Sequence, residues 1–163
     1  RILPFEQIAQ LKENGLTAFT VPKEFGGLGR PLNELFSFIT DLATADSNVA
    51  QALRAHFGFI EHLRAEAPSD YTKRWFERLG AGETAGAAAA EKGTVRDAFA
   101  TRFTRKEGHW VINGSKFFTT GSLYADWLTV TGSNEEGETV KCLASRHDPG
   151  LEILDDWDGV GQR

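Results

Sequence analysis

An α+β fold is predicted for this chain of 163 residues, with a helical part over residues 1–82 followed by an antiparallel β part over 83–163. Three observations carry that expectation. Up to about Gly80 apolar residues recur every three to four positions, the period of a helix with one buried face. Beyond Gly80 the period falls to two, with β-branched and aromatic residues alternating against polar ones. The alternating runs are separated by short turns such as Glu107-Gly108 and 133–138 (SNEEGE), which suit hairpins and leave no room for the crossover helices of a parallel sheet.

Each element has its own signals. Phe5, Ile8 and Leu11 line one face of a first helix that stops at Gly15, a residue suited to a left-handed C-terminal position. The segment GLTAFTVPKEFGGLGRP is too rich in glycine and proline for regular structure and reads as a tight loop. Pro31 fits a first turn, and Leu35, Phe36, Ile39, Leu42 and Ala43 then trace the apolar stripe of a second helix. Ser47 is expected to cap a third, which carries Val49, Ala52, Leu53, Ile60 and Leu63 on one face and ends before Pro68. Ser69 is expected to cap a fourth, with Tyr71, Trp75 and Leu79 four apart. TAGAAAAE reads as a short buried strand between Gly86 and Gly93, FATRFTR and HWVIN as a hairpin, and WLTVTG and TVKCLASR as a second antiparallel pair. Asn113-Gly114 is a further turn signal, and Trp110, Phe117 and Trp127 are expected to pack a sheet face.

Composition excludes several classes of function. A net charge of −5 without a basic run argues against nucleic acid, whose phosphates call for clustered Lys and Arg. The single cysteine, Cys142, cannot form an internal disulfide, and no apolar run approaches the roughly 20 residues that cross a bilayer. With no export signal, a cytoplasmic setting is expected. Arg1 opens the chain and no methionine occurs, so the sequence reads as a piece of a longer protein. Neither the histidines nor Asp155, Asp156 and Asp158 have metal-site spacing, and no metal is expected. Gly27 and Gly29 give only two positions of a dinucleotide fingerprint, without a preceding strand.

Two features point to chemistry. His56 shares the apolar face of the third helix, a placement that suits a core histidine with one hydrogen bond as well as a pocket residue. In KFFTTG, two phenylalanines precede Thr119, Thr120 and Gly121, an aromatic wall beside hydroxyls and backbone amides that suits a flat heteroaromatic ring with polar edges, such as a flavin.

The segments VPKEFGGLG, AAAEKGT and GHWVINGSKFFTTGSLYADWLTV resemble, over nearly the whole chain, the acyl-CoA dehydrogenase superfamily. The resemblance implies a helical N-terminal domain and a β-barrel-like middle domain, cut short here, with the family's C-terminal helical bundle outside the sequence. It implies a flavin held by Ala89, Ala90 and Glu91 and by Phe118, Thr119 and Thr120. The chain departs from the dehydrogenases where Ala90 stands for a threonine, Lys92 for a proline and Gly121 for an asparagine, and where Arg96 precedes Asp97 in place of a serine. With KFFTTG, YADW, DDWDGVGQR and ATADSNVAQALRAHFGF it is similar to the flavin-dependent organosulfur monooxygenases of the dibenzothiophene desulfurisation type. That branch implies His56 and Thr120 as catalytic residues beside reduced FMN, with FAD as the alternative, and oxygen transfer to a small apolar substrate through a flavin hydroperoxide. It also implies a separate flavin reductase and a homodimer or homotetramer. The alternatives are an acyl-CoA dehydrogenase-like flavoenzyme and a noncatalytic paralogue.

Overall fold

The computed structural model describes residues 2–93 and 99–159. Helix α1 (Phe5–Glu13) ends in the turn through Asn14 and Gly15, and the φ of 69° at Gly15 is the left-handed conformation foreseen for it. Two single 3₁₀ turns, Leu16–Ala18 and Lys23–Phe25, fold the glycine-rich segment back on itself before α2 (Leu32–Ala45). The buried stripe of α2 is narrower than its sequence suggests, for Leu35 is buried while Phe36 is 63% exposed. Helix α3 (Ser47–Ala65) begins one residue earlier than expected: Asp46, not Ser47, is the cap, its carboxylate accepting the N–H of Asn48 at 2.8 Å. At α4 (Asp70–Gly80) the cap is Ser69 as anticipated, in a reciprocal box where Thr72 N–H donates to the Ser69 hydroxyl and Ser69 N–H to the Thr72 hydroxyl.

Five strands follow among the described residues: β1 (Ala85–Ala88), β2 (Arg102–Lys106), β3 (His109–Asn113), β4 (Trp127–Ser133) and β5 (Thr139–Ser145). The β2–β3 hairpin turns through Glu107-Gly108, both with positive φ, and β4–β5 is the second antiparallel pair. The α+β class holds, but the sheet is mixed and open, since β4 runs parallel to β1 along residues 127–130 and to β2 at Ser133. The physical reason is the long excursion from residue 89 to residue 126, which carries the chain back to the starting end of β1 and so lets β4 enter in the same direction. Asn113-Gly114 makes no hairpin. A side chain at Gly114 would meet Thr101 Oγ1 at 2.4 Å, so the glycine serves a close approach to the start of β2.

Two apolar clusters share the interior. The first gathers Ile8, Val21, Leu35, Val49, Leu53, Phe57, Ile60, Leu63, Trp75 and Leu79 from the helices, together with Ala85 of β1. Trp127 and Leu143 of the sheet pack against it, so it crosses the helix-to-strand junction. The second, around Phe103, Leu128, Val130 and Ala144, lies on the sheet, with Ala125, Leu151 and Ile153 added from the connecting segments. Trp127 does pack, edge-on to Trp75 at 5.1 Å with the Arg78 guanidinium over its ring, whereas Trp110 is solvent-exposed, because β3 is an edge strand with no layer over it. The junction is fastened by Asp126, whose carboxylate accepts from Lys12 Nζ (2.7 Å), Thr84 N–H (2.7 Å) and the Thr84 hydroxyl (2.9 Å). Burial alone raises its pKa, and these donors overcome that and hold it below the usual carboxylate range.

Candidate functional site

The candidate site forms where the chain leaves β1. Ala87 N–H donates to Thr120 O at 3.0 Å and Phe117 N–H to Ala90 O at 2.9 Å, which lays residues 117–120 alongside residues 87–90. The two groups of residues singled out in the sequence, Ala89 to Glu91 and Phe118 to Thr120, are therefore neighbours. Beyond them the chain makes a turn seated on α3: Gly121, at φ 79°, would direct a side chain onto Ala52 O at 2.3 Å. Glycine is required at that point on both counts, which accounts for its place after Thr120.

What this junction offers is a set of accessible hydrogen-bond donors. The N–H groups of Ala89, Ala90, Glu91, Phe118 and Thr119 find no acceptor among the described residues, and neither threonine hydroxyl has a partner there. Ala89, Ala90 and Phe118 are exposed, so these donors face solvent and are open to a ligand. Beside them Phe118 is 64% exposed and holds a φ of 54°, an unusual conformation for a bulky residue. A tight turn fixes it, with Thr120 N–H donating to Phe118 O at 2.9 Å. Its ring meets Trp157 edge-on at 5.7 Å between centroids. An exposed aromatic face beside a row of donors fits the flat apolar body and polar edge of an isoalloxazine.

Glu91 enters this arrangement through its backbone only. Its carboxylate, 3% exposed, accepts from Ala100 N–H, Thr101 N–H, the Thr101 hydroxyl and the Lys116 ammonium, and so cannot turn toward a ligand. Burial pushes its pKa up, but Lys116 and the other donors outweigh that and bring it down to about 2. Lys116 also donates to Ala89 O at 3.2 Å and lies over the Phe99 ring. Sequence patterns do not single out Lys116 or Trp157, although both lie inside the segments that carry the resemblance. Arg96 and Asp97 fall outside the described residues.

His56 is a buried residue of α3. It is 1% exposed, and its Nε2 lies 2.8 Å from Thr17 O while its Nδ1 accepts Ala85 N–H at 3.2 Å. These partners fix a neutral ring with the proton on Nε2, since the carbonyl needs a donor and the amide an acceptor. Burial is the main cause that lowers its pKa to about 4, opposed by the Thr17 bond. Both ring nitrogens are thus engaged by backbone groups. Through these two bonds the ring joins α3, the 16–18 turn and β1.

Two other features stand apart. Cys142 is half-buried with a pKa pushed up to about 11 by burial, so it is no nucleophile near neutrality. A groove of about 500 Å³ between α1 and the α2–α3 corner, lined by Gln7, Gln10, Leu11, Leu42, Asp46 and Val49 among others, shares no residue with the candidate site.

Residues 1–83, just over half of the chain, match the model of the acyl-CoA dehydrogenase N-terminal domain. The chain belongs to that family. Among curated relatives of this acyl-CoA dehydrogenase-type chain, the putative acyl-CoA dehydrogenase YdbM of Bacillus subtilis is 31% identical over 98% of the chain and 44% of its own length. The amino sugar nitrososynthase DnmZ of Streptomyces peucetius is 31% identical over 99% of the chain and 42% of its own length. Among solved structures, FMN-bound TdsC from Paenibacillus sp. A11-2, a dibenzothiophene monooxygenase, superposes with a TM-score of 0.89 at 25% identity, over 98% of this chain and 42% of that one. The chain thus spans about two fifths of the length of the proteins it matches. No helix among the described residues is long and apolar enough to cross a membrane.

Proposed function

We propose that this chain is the N-terminal and middle portion of a flavin-dependent monooxygenase that takes reduced FMN from a separate reductase and oxidises a small, largely apolar substrate at sulfur or nitrogen. The observation that carries the reading is the row of N–H groups at residues 89–91 and 118–119, which take no acceptor among the described residues, beside the exposed Phe118 ring. Bound reduced flavin would supply the activation of dioxygen, one atom of which goes to the substrate and the other to water. Phe118 would form an apolar wall, the amides of Ala89 to Glu91 and Thr119 would hold the polar edge of the ring, and the Thr120 hydroxyl would donate a hydrogen bond where negative charge develops. The aromatic surroundings would keep water from the reacting atoms. His56 would serve by fixing where β1 lies, since its nitrogens are spent on the backbone.

The relatives bear on the substrate. TdsC is a dibenzothiophene monooxygenase and DnmZ an amino sugar nitrososynthase, so both soft sulfur and amine nitrogen suit the branch. YdbM supports a second reading, an acyl-CoA dehydrogenase-like flavoenzyme. Oxygen uptake by the complete protein with FMN and a generic flavin reductase separates them. Substrate-dependent uptake with an oxygenated product supports the monooxygenase; a yellow protein bleached by a thioester without oxygen would replace it. In the same assay Thr120→Val should retain FMN and release hydrogen peroxide in place of product, and a normal product yield would remove Thr120 from the mechanism. A cytoplasmic homodimer or homotetramer accompanies this proposal, to be checked by light scattering of the purified protein and by cell fractionation.

A further inference from the structure

The candidate site rests on a buried ion pair. Lys116 and Glu91 are 8% and 3% exposed, and the pair touches all three stretches of chain that meet there. Glu91 closes onto the start of β2 through Ala100 and Thr101, while Lys116 reaches back to Ala89 O and precedes the 117–120 run directly. Two chain segments that share no regular ladder are held side by side by Phe117 N–H to Ala90 O, Ala87 N–H to Thr120 O and this pair. The charges also cancel. A lone carboxylate at Glu91 would sit one and two residues from the open amides of Ala90 and Ala89, in surroundings where charges are weakly screened.

Resting on the flavin reading above, we propose that Lys116 and Glu91 are positioning residues that hold the two donor runs in register and cancel each other's charge, so that the Glu91 carboxylate does not repel the anionic ring of reduced flavin. Neither side chain touches the ring; both act through the backbone and through the field they cancel. The ratio of affinities for reduced and oxidised FMN separates this role from plain structural support, because the phosphate charge is the same in both forms and only the ring charge differs.

The test uses the complete protein at pH 8, titrated with reduced FMN under anaerobic conditions and with oxidised FMN in air. Lys116→Met, which leaves the carboxylate uncompensated, should weaken reduced FMN about tenfold or more and oxidised FMN clearly less. Glu91→Gln, which leaves the ammonium alone, should move the ratio the other way, and the double variant should restore the wild-type ratio. Should Lys116→Met not fold, the shift toward reduced FMN in Glu91→Gln and the restored ratio in the double variant still decide the matter. A lower melting temperature with an unchanged ratio in Glu91→Gln would make the pair merely structural and overturn the inference. Phe118→Ala serves as the control: if the unmodified protein binds no FMN, the flavin reading falls and the inference with it. If it binds FMN and Phe118→Ala weakens it while the pair variants keep the wild-type ratio, only the inference falls.

Discussion

Lowering the pH tests the placement of His56. Its folded pKa is near 4 against an ordinary value of 6.5, so between those limits the unfolded chain takes up a proton that the folded one refuses. The stabilisation is whole above pH 6.5 and is lost as pH falls toward 4. A displacement of this size corresponds to about 3 kcal/mol in all, of which about 2 kcal/mol is lost by pH 5. Lys12 and Asp126 are the charges that bear on the ring, and they act in opposite directions. The carboxylates whose pKa values are lowered, Glu91 and Asp126, lose their contributions only at still lower pH, Glu91 between 4.5 and about 2, so the window from pH 6.5 to 4.5 belongs to His56 among the shifted groups. Urea unfolding at pH 7 and pH 5, paired with an NMR titration of the imidazole, reads both quantities. His56→Gln should flatten the pH dependence while lowering stability at pH 7 by about 1–3 kcal/mol, because a backbone partner is left unsatisfied. An imidazole that titrates near 6.5 in the folded protein would refute the buried, doubly bonded ring.

Other substitutions probe other parts of the argument. Phe118→Gly removes both the ring and the cost of its left-handed backbone, so the flavin-free protein should gain up to about 1 kcal/mol in unfolding measurements while FMN binding weakens. Gly121→Ala drives a methyl group toward Ala52 O and should cost more than about 1 kcal/mol, with the flavin lost from a displaced Thr120 in equilibrium dialysis. Ser69→Ala breaks the capping box of α4 and should cost about 1 kcal/mol without altering FMN affinity, a contrast that thermal melts with and without flavin reveal.

What the amino-acid sequence discloses about this fold depends on the range of the interaction. All four helices and the two antiparallel pairs follow from signals within a few residues: Gly15 at a helix end, Ser69 three before Thr72, Glu107-Gly108 between strands. The cap of α3 slips by one because Asp46 and Ser47 are both good caps and only the backbone decides between them. Parallel pairing of β1 with β4 lies beyond local signals, since TAGAAAAE says that a strand exists without saying what it joins. The same limit governs the site. The grouping of residues 89–91 with 118–120 comes from family resemblance and is matched by adjacency in space, but the fates of side chains are not written in it. Glu91 and His56 are ionisable residues in suggestive positions, and each spends its polar atoms on partners remote in sequence.

The Trp75–Trp127 contact makes the two halves interdependent. A polypeptide ended at residue 82 would keep four helices yet lose Ala85, Trp127 and Leu143 from the cluster they complete, so limited proteolysis at the α4–β1 connection should give an N-terminal piece that aggregates. On the ribosome the helices must likewise wait for residue 127 to emerge before their last apolar surface is covered, which makes that docking a late event and leaves chaperones a defined patch to hold.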